Sequence, residues 1–373
     1  MEGNDVSVDE LREQARSWLG ENRHVAPRDY GAILPPDLAE EGRAWQRHLA
    51  AHGWVGLHWP TKHGGRGLTP EHTAVWTTEC ALAEVPPWIN MVGHVLAGGS
   101  ILAFGTPEQQ TAHLRGILHA DQIWCQLFSE PGAGSDLAGL STTAVRDGDE
   151  WVVNGQKVWC SNGRVADRAI LLARTDPSAR PHAGISFFLV NMHLAGIDVR
   201  PLRQMTGGSE FDEVFLDQVR LPADSLLGPM HGGWGVAMAT LTNERGHIGS
   251  AGISLGRRLD AIASQRTAVP GDPIAQDRVA ELLSRGRAIQ AMGRRQGPVA
   301  SVAASLAKLG VTELLFDAAM LEADLSGPEA MLDGAVAARL LGAPGGRIAG
   351  GTTEVQKNII GERLLGLPKE PKA

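Results

Sequence analysis

Hydrophobic periodicity changes twice along this chain of 373 residues. From Val8 to about Asp121 apolar residues recur at the three- and four-residue spacing of amphipathic helices. Between Ile123 and about Leu227 they fall into short runs, and after Gly232-Gly233 the helical spacing returns. The middle runs are Ile123–Phe128, Thr142–Val145, Trp151–Val153, Ala169–Ala173, Ile185–Val190, Ile197–Leu202 and Glu213–Leu221, with turn residues such as Asp147-Gly-Asp149 and Asn154-Gly155 between them. No helical pattern separates these strands, so the pattern predicts a compact antiparallel sheet rather than a βαβ unit. The expected fold is mainly α with a central β-domain: a helical domain over 1–121, the β-domain over 122–228 and a helical bundle over 229–373.

Local signals agree with that order. In the first helix Leu11, Ala15, Trp18 and Leu19 share one face. Thr69-Pro70 and Thr106-Pro107 both read as a capping residue followed by proline in the first turn. In the last third, helices are expected from Gly233 to about Arg266, then over Pro273–Gly293, Gly297–Leu325, Gly327–Leu341 and Gly351–Leu365.

With 42 acidic against 34 basic residues the chain carries a net charge of −8, which supplies no basic face for nucleic acid. No run approaches the length of a membrane-spanning helix, and Met1-Glu-Gly-Asn-Asp5 lacks the order of a signal peptide, so a cytoplasmic location is expected. Cys80, Cys125 and Cys160 lie in apolar or strand-like surroundings without metal spacing, and are expected as reduced core thiols. The 13 histidines form no metal-binding pattern.

Two features could carry chemistry. In Gln126-Leu-Phe-Ser-Glu-Pro-Gly-Ala-Gly-Ser-Asp136 a strand runs into a loop expected to need unusual backbone angles, whose amides suit a phosphate or a carbonyl oxygen. The same composition serves in tight turns that bind nothing. It lacks the following helix and downstream acid of a dinucleotide-binding unit. The second feature is Glu244, which falls on the stripe Ala237, Leu241, Ile248, Ala251 and Leu255. A charge on an apolar face is either used or paired, and both readings are open here.

The wording of these stretches resembles the acyl-CoA dehydrogenase family. Ser129-Glu-Pro-Gly-Ala-Gly-Ser-Asp136 is similar to that family's flavin loop, Asn154-Gly-Gln-Lys157 with Trp159, Ser161 and Asn162 to its second signature, and Gly351-Thr-Thr-Glu-Val-Gln-Lys357 to its C-terminal motif. The resemblance spans essentially the whole chain. It implies three domains, FAD as cofactor and an acyl-CoA substrate dehydrogenated to the trans-2-enoyl thioester. It places Phe128 and Ser129 along the isoalloxazine edge, Ser135 near the pyrophosphate, Trp159 and Ser161 beside the ring, and Thr352 and Glu354 at C-terminal flavin contacts, with Gly134 also among the cofactor-binding residues.

Members of the family take their base either from a Glu just before the Gly-Thr of the C-terminal motif or from a Glu-Arg pair on the long helix. This chain has Gly350 at the first position and Glu244-Arg245 at the second, so the resemblance implies Glu244 as base. Arg245 then braces the pocket or the CoA, and the Gly350 N–H donates to the thioester oxygen. The missing side chain at Gly350 suits a bulky or branched acyl group, such as a steroid side chain. Arg266-Thr-Ala-Val-Pro-Gly-Asp-Pro273 departs from the family's adenine-contacting stretch, and no Gln-x-x-Gly-Gly-x-Gly segment precedes the last helix.

The resemblance further implies an electron-transfer flavoprotein as acceptor and a tetramer, homomeric or α2β2 with a related chain, with no metal, nucleic-acid or membrane partner. The rival readings are a non-catalytic or half-site subunit of a mixed assembly, and a flavin oxidase or monooxygenase on the same fold.

Overall fold

The computed structural model describes residues 6–28, 33–246, 249–265, 272–292 and 302–369, with the side chains of 242–255, 265, 290 and 292 outside that description. Helices α1 (Val8–Asn22), α2 (Ala39–Ala51), α3 (Pro70–Ala83), α4 (Gly98–Phe104) and α5 (Pro107–Leu118) come first. The two Thr-Pro starts hold, at α3 and α5. Ser7 and Glu10 form a reciprocal capping box on α1, as do Thr106 and Gln109 on α5, and Thr69 with His72 caps α3 ahead of Pro70. Leu11, Ala15 and Leu19 are buried, Trp18 partly so, in a core that also holds Trp45, Trp54, Trp59 and Trp76. A π-helical turn, Val92–Ala97, leads into α4.

The strands are β1 (Trp124–Leu127), β2 (Thr143–Asp147), β3 (Glu150–Ser161), β4 (Arg168–Arg174), β5 (Ile185–Asn191), β6 (Ile197–Leu202), β7 (Phe211–Pro222) and β8 (Leu226–Leu227). They form one sheet in the order β6-β7-β3-β2-β4-β5-β8, with β1 joined to β4. The sheet is mainly antiparallel, but β1 runs parallel to β4, with Trp124 opposite Arg168 and Leu127 opposite Leu171. Alternating inward residues such as Val153, Leu171, Phe188 and Val214 fill a core on one face.

Asn154-Gly155 does not turn the chain. β3 continues through it because hydrogen bonding to β2 on one side and β7 on the other holds the strand extended. The turn signal marks instead a register slip, where β7 carries one extra residue between Val219 and Leu216 and Gln218 takes a φ of 51°.

After the sheet come α6 (Gly233–Gly246), α7 (Gly249–Gln265), α8 (Pro273–Met292), α9 (Ala303–Ser326), α10 (Ala335–Ile348) and α11 (Thr353–Arg363). The helix expected over Gly327–Leu341 is displaced. Gly327–Met331 is a 3-10 turn, and α10 begins at Ala335 and runs past Pro344 to Ile348. Pro328 at the start of the turn lacks the N–H that continuing α9 would need.

The chain forms two compact units, Met1–Gln204 with Gly208–Asn243, and Met205–Gly207 with Glu244–Ala373. The second has its own core of Leu259, Ile262, Val279, Leu282, Val311 and Leu314. Among the described residues no helix is long and apolar enough to cross a membrane, and no cluster of side chains suits a metal ion. All three cysteines are free and buried.

Candidate functional site

In the first unit the site is built where the end of β1 meets β3. The Phe128 ring is buried and packs edge-on against Phe187, which fixes where the chain leaves the sheet. The carbonyls of Phe128 and Ser129 both turn toward β3: Lys157 Nζ donates to the first at 3.0 Å and the Val158 N–H to the second at 2.9 Å. The chain then reverses between Glu130 and Ala133, whose N–H and C=O groups bond reciprocally at 3.0 Å.

That reversal does not use the backbone freedom of glycine. Neither Gly132 nor Gly134 has a positive φ, and a Cβ on either would meet nothing within 4 Å. The expectation of unusual angles here fails because the Glu130–Ala133 bonds close an ordinary turn. Gly132, Gly134 and Ser135 lie exposed, so the glycines leave the backbone open without any demand from the chain's own packing.

Trp159 occupies a bulge. Lys157 faces Val214 and Cys160 faces Asp212, so Val158 and Trp159 together oppose the single residue Glu213. Trp159 adopts a φ of 61°, uncommon for a residue with a side chain and costly by roughly 1–2 kcal/mol. The extra residue moves it to the outer side of the strand. Its ring is 59% exposed, while Cys160 is completely buried. The ring meets Phe211, the residue opposite Ser161, edge-on at 5.8 Å, so Trp159 and half-buried Ser161 share a face.

Beneath this surface lies a pair that sequence reasoning did not single out. Lys157, with no exposed side-chain surface, donates to Glu130 Oε1 at 2.8 Å. Glu130 also accepts from the N–H and Oγ of Ser141, both at 2.6 Å, and from the Thr142 N–H at 2.9 Å. Burial alone would raise the Glu130 carboxyl, but the Lys157 ammonium and these donors outweigh it and bring it down to about 2. Burial lowers the Lys157 ammonium from the ordinary lysine value, opposed by the Glu130 carboxylate. Period-two alternation from Val153 reaches Lys157 only because β3 continues through Asn154-Gly155, which the sequence reads as a turn.

Cys160 has no catalytic setting. Burial pushes its thiol up to about 12, which leaves no thiolate at neutral pH.

In the second unit, Gly350 and Gly351 form a turn between α10 and α11 with φ of 64° and 91°. Thr352 caps α11, its Oγ accepting from the Val355 N–H at 3.2 Å, and Glu354 is exposed in the first helical turn. Both flanks of the turn are tied to Glu313 of α9, by Arg347 Nε at 3.0 Å and Thr353 Oγ1 at 3.2 Å. Fully buried Gln356 donates to the Gly350 carbonyl at 3.2 Å. Gln356 and Glu313 were not picked out from the sequence, because a polar residue in a helical pattern is ordinarily a surface residue. Glu244 and Arg245 lie in α6; their side chains fall outside the described residues.

Comparison with known proteins gives matches along the chain. The family models described as acyl-CoA dehydrogenase N-terminal, middle and C-terminal domains match residues 7–121, 125–219 and 231–365. A Mycobacterium tuberculosis protein named acyl-CoA dehydrogenase IpdE1 is 40% identical over 385 aligned residues, covering 98% of this chain and 99% of that one. A solved structure titled Tcur3481-Tcur3483 steroid ACAD superposes with a TM-score of 0.82 at 26% identity, covering 99% of this chain and 100% of that chain. The ChsE4-ChsE5 complex from Mycobacterium tuberculosis gives 0.79 at 28% identity, covering 97% of this chain and 98% of that chain.

Proposed function

Because the chain belongs to the acyl-CoA dehydrogenase family and is an oxidoreductase acting on acyl-CoA, we propose that it is an FAD-dependent dehydrogenase that converts a bulky or branched acyl-CoA to its trans-2-enoyl thioester. The observation that carries the flavin assignment is Trp159. A large ring is held out of the core by a bulge at a positive φ, next to a loop whose glycines leave its backbone open. Strain kept at such a place is a mark of a functional contact. In this reading Phe128, Ser129, Trp159 and Ser161 border the isoalloxazine, Gly134 and Ser135 the pyrophosphate, and Thr352 with Glu354 supply further contacts.

FAD, when bound, supplies the hydride acceptor. The chain's residues hold the substrate and take its proton. Glu244 removes the α-proton of the thioester, Arg245 braces the pocket or the CoA, and the Gly350 N–H donates to the thioester oxygen where negative charge gathers. Gly350 has no side chain to restrict a wide acyl group. The steroid ACAD title of one structural neighbour and the two-component titles of two support a steroid-derived substrate and assembly with a related chain. An electron-transfer flavoprotein is the proposed acceptor.

The test is anaerobic bleaching of the reconstituted flavoprotein by a panel of straight, branched and steroid side-chain acyl-CoAs. Wild type should bleach with bulky substrates, and Glu244→Gln should do so slower by on the order of 10²–10⁴-fold. Bleaching of Glu244→Gln at the wild-type rate places the base elsewhere.

A further inference from the structure

We infer that the buried Glu130–Lys157 pair is a positioning device for the flavin edge, fixing both the direction of the Ser129 N–H and the bulge that presents Trp159. The inference rests on the flavin reading above and adds to it two residues with no direct place at the cofactor.

The argument starts from peptide geometry. In a trans peptide the C=O and the next N–H point in opposite directions. Lys157 draws the Phe128 carbonyl inward, so the Ser129 N–H is turned away from the buried pair. The next carbonyl, that of Ser129, is drawn to the Val158 N–H, and the Glu130 N–H is occupied by Ala133. The Ser129 N–H is thus an oriented donor with no acceptor among the described residues.

The same two side chains also hold the loop closed and reach the strand that carries the bulge. Glu130 opens the loop, and its carboxylate holds the Ser141 and Thr142 amides that close it. Lys157 is the last regular residue of β3 before the bulge, so its fixed ammonium sets where Val158 and Trp159 depart from the ladder. Apolar residues of similar volume often replace a buried ion pair with little change in stability. Here they would leave the Phe128 carbonyl and the Ser141 and Thr142 amides without these partners.

The experiment compares wild type, Glu130→Gln/Lys157→Met, the milder Ser141→Ala, and Asp167→Asn as a control. Asp167 pairs with Arg43 and holds the Ile123 N–H at the opposite end of β1. Three readouts are taken: thermal unfolding, FAD affinity with the bound-flavin spectrum, and amide exchange of residues 128–136 and 157–161 in flavin-free protein.

Residues that hold metal ligands in place matter by on the order of 10–100-fold, and by the same logic of a support one bond removed the double variant should lose FAD affinity by on the order of 10-fold or more. Its bound spectrum should shift and both peptides should exchange faster, whereas Asp167→Asn should lower the melting temperature without moving the spectrum. Ser141→Ala should shift affinity and exchange in the same direction by a smaller factor, and it decides the matter if the double variant does not fold. Wild-type affinity, spectrum and exchange in Ser141→Ala and in a folded double variant overturn the inference. If wild type itself takes up no FAD, the flavin reading fails, while the exchange data still report whether the pair orders the loop.

Discussion

Lys157 and Trp159 stand two residues apart on one strand and lie on opposite sides of it, the first wholly buried and the second 59% exposed. Regular alternation would put both inside. The bulge between them sends Cys160 inward in place of Trp159, and this exchange is what gives the site its aromatic surface.

It follows that Trp159 adds little to the stability of the fold. Trp159→Gly removes an exposed ring and relieves a left-handed conformation worth roughly 1–2 kcal/mol, so it should unfold at a temperature equal to or above wild type. The same variant should hold FAD more weakly. A clear fall in melting temperature would mean that the ring packs as core.

Acid stability should report Glu130. Its carboxyl is lowered from 4.5 to about 2 in the folded protein, so the stability it provides is complete above about 4.5 and is lost as pH falls toward 2. At 1.36 kcal/mol per pH unit the loss is on the order of 3 kcal/mol. Urea titrations of wild type and Glu130→Gln should therefore differ most near neutral pH and converge toward pH 2. A constant difference across that range would show that Glu130 is not held ionised by its partners.

The turn before α11 should tolerate change unequally. Thr352→Ala removes one cap and should cost about 1 kcal/mol. Gly351→Ala combines a φ of 91° with a Cβ 2.5 Å from Gln356 Nε2, and so displaces the side chain that holds the Gly350 carbonyl. Roughly 2–4 kcal/mol is expected from the strain and the lost bond together. Chemical unfolding of the two variants would decide it, with equal costs counting against the role given to Gln356.

Thiol titration should find Cys80, Cys125 and Cys160 silent in native protein and all reactive after denaturation, since each is buried and each thiol is pushed up chiefly by burial. Rapid modification of Cys160 in the native state would contradict the packing of β3.

The sequence alone determined which parts of the chain are helical and which are sheet, because spacing of apolar residues is a local property. Leu11, Ala15 and Leu19 or the Thr106 cap can be read without knowing their partners. The wording of the loop and of the second signature likewise pointed to the family before any coordinate. Tertiary structure decided what depends on neighbouring strands. Asn154-Gly155 reads as a turn locally, yet pairing with β2 and β7 keeps it extended. The exposure of Trp159 comes from a mismatch of register with β7 that no period within β3 contains. Lys157 and Glu130, 27 residues apart, become a pair only because β1 and β3 meet. A buried charge is stable only beside its partner, and which partner that is belongs to the fold.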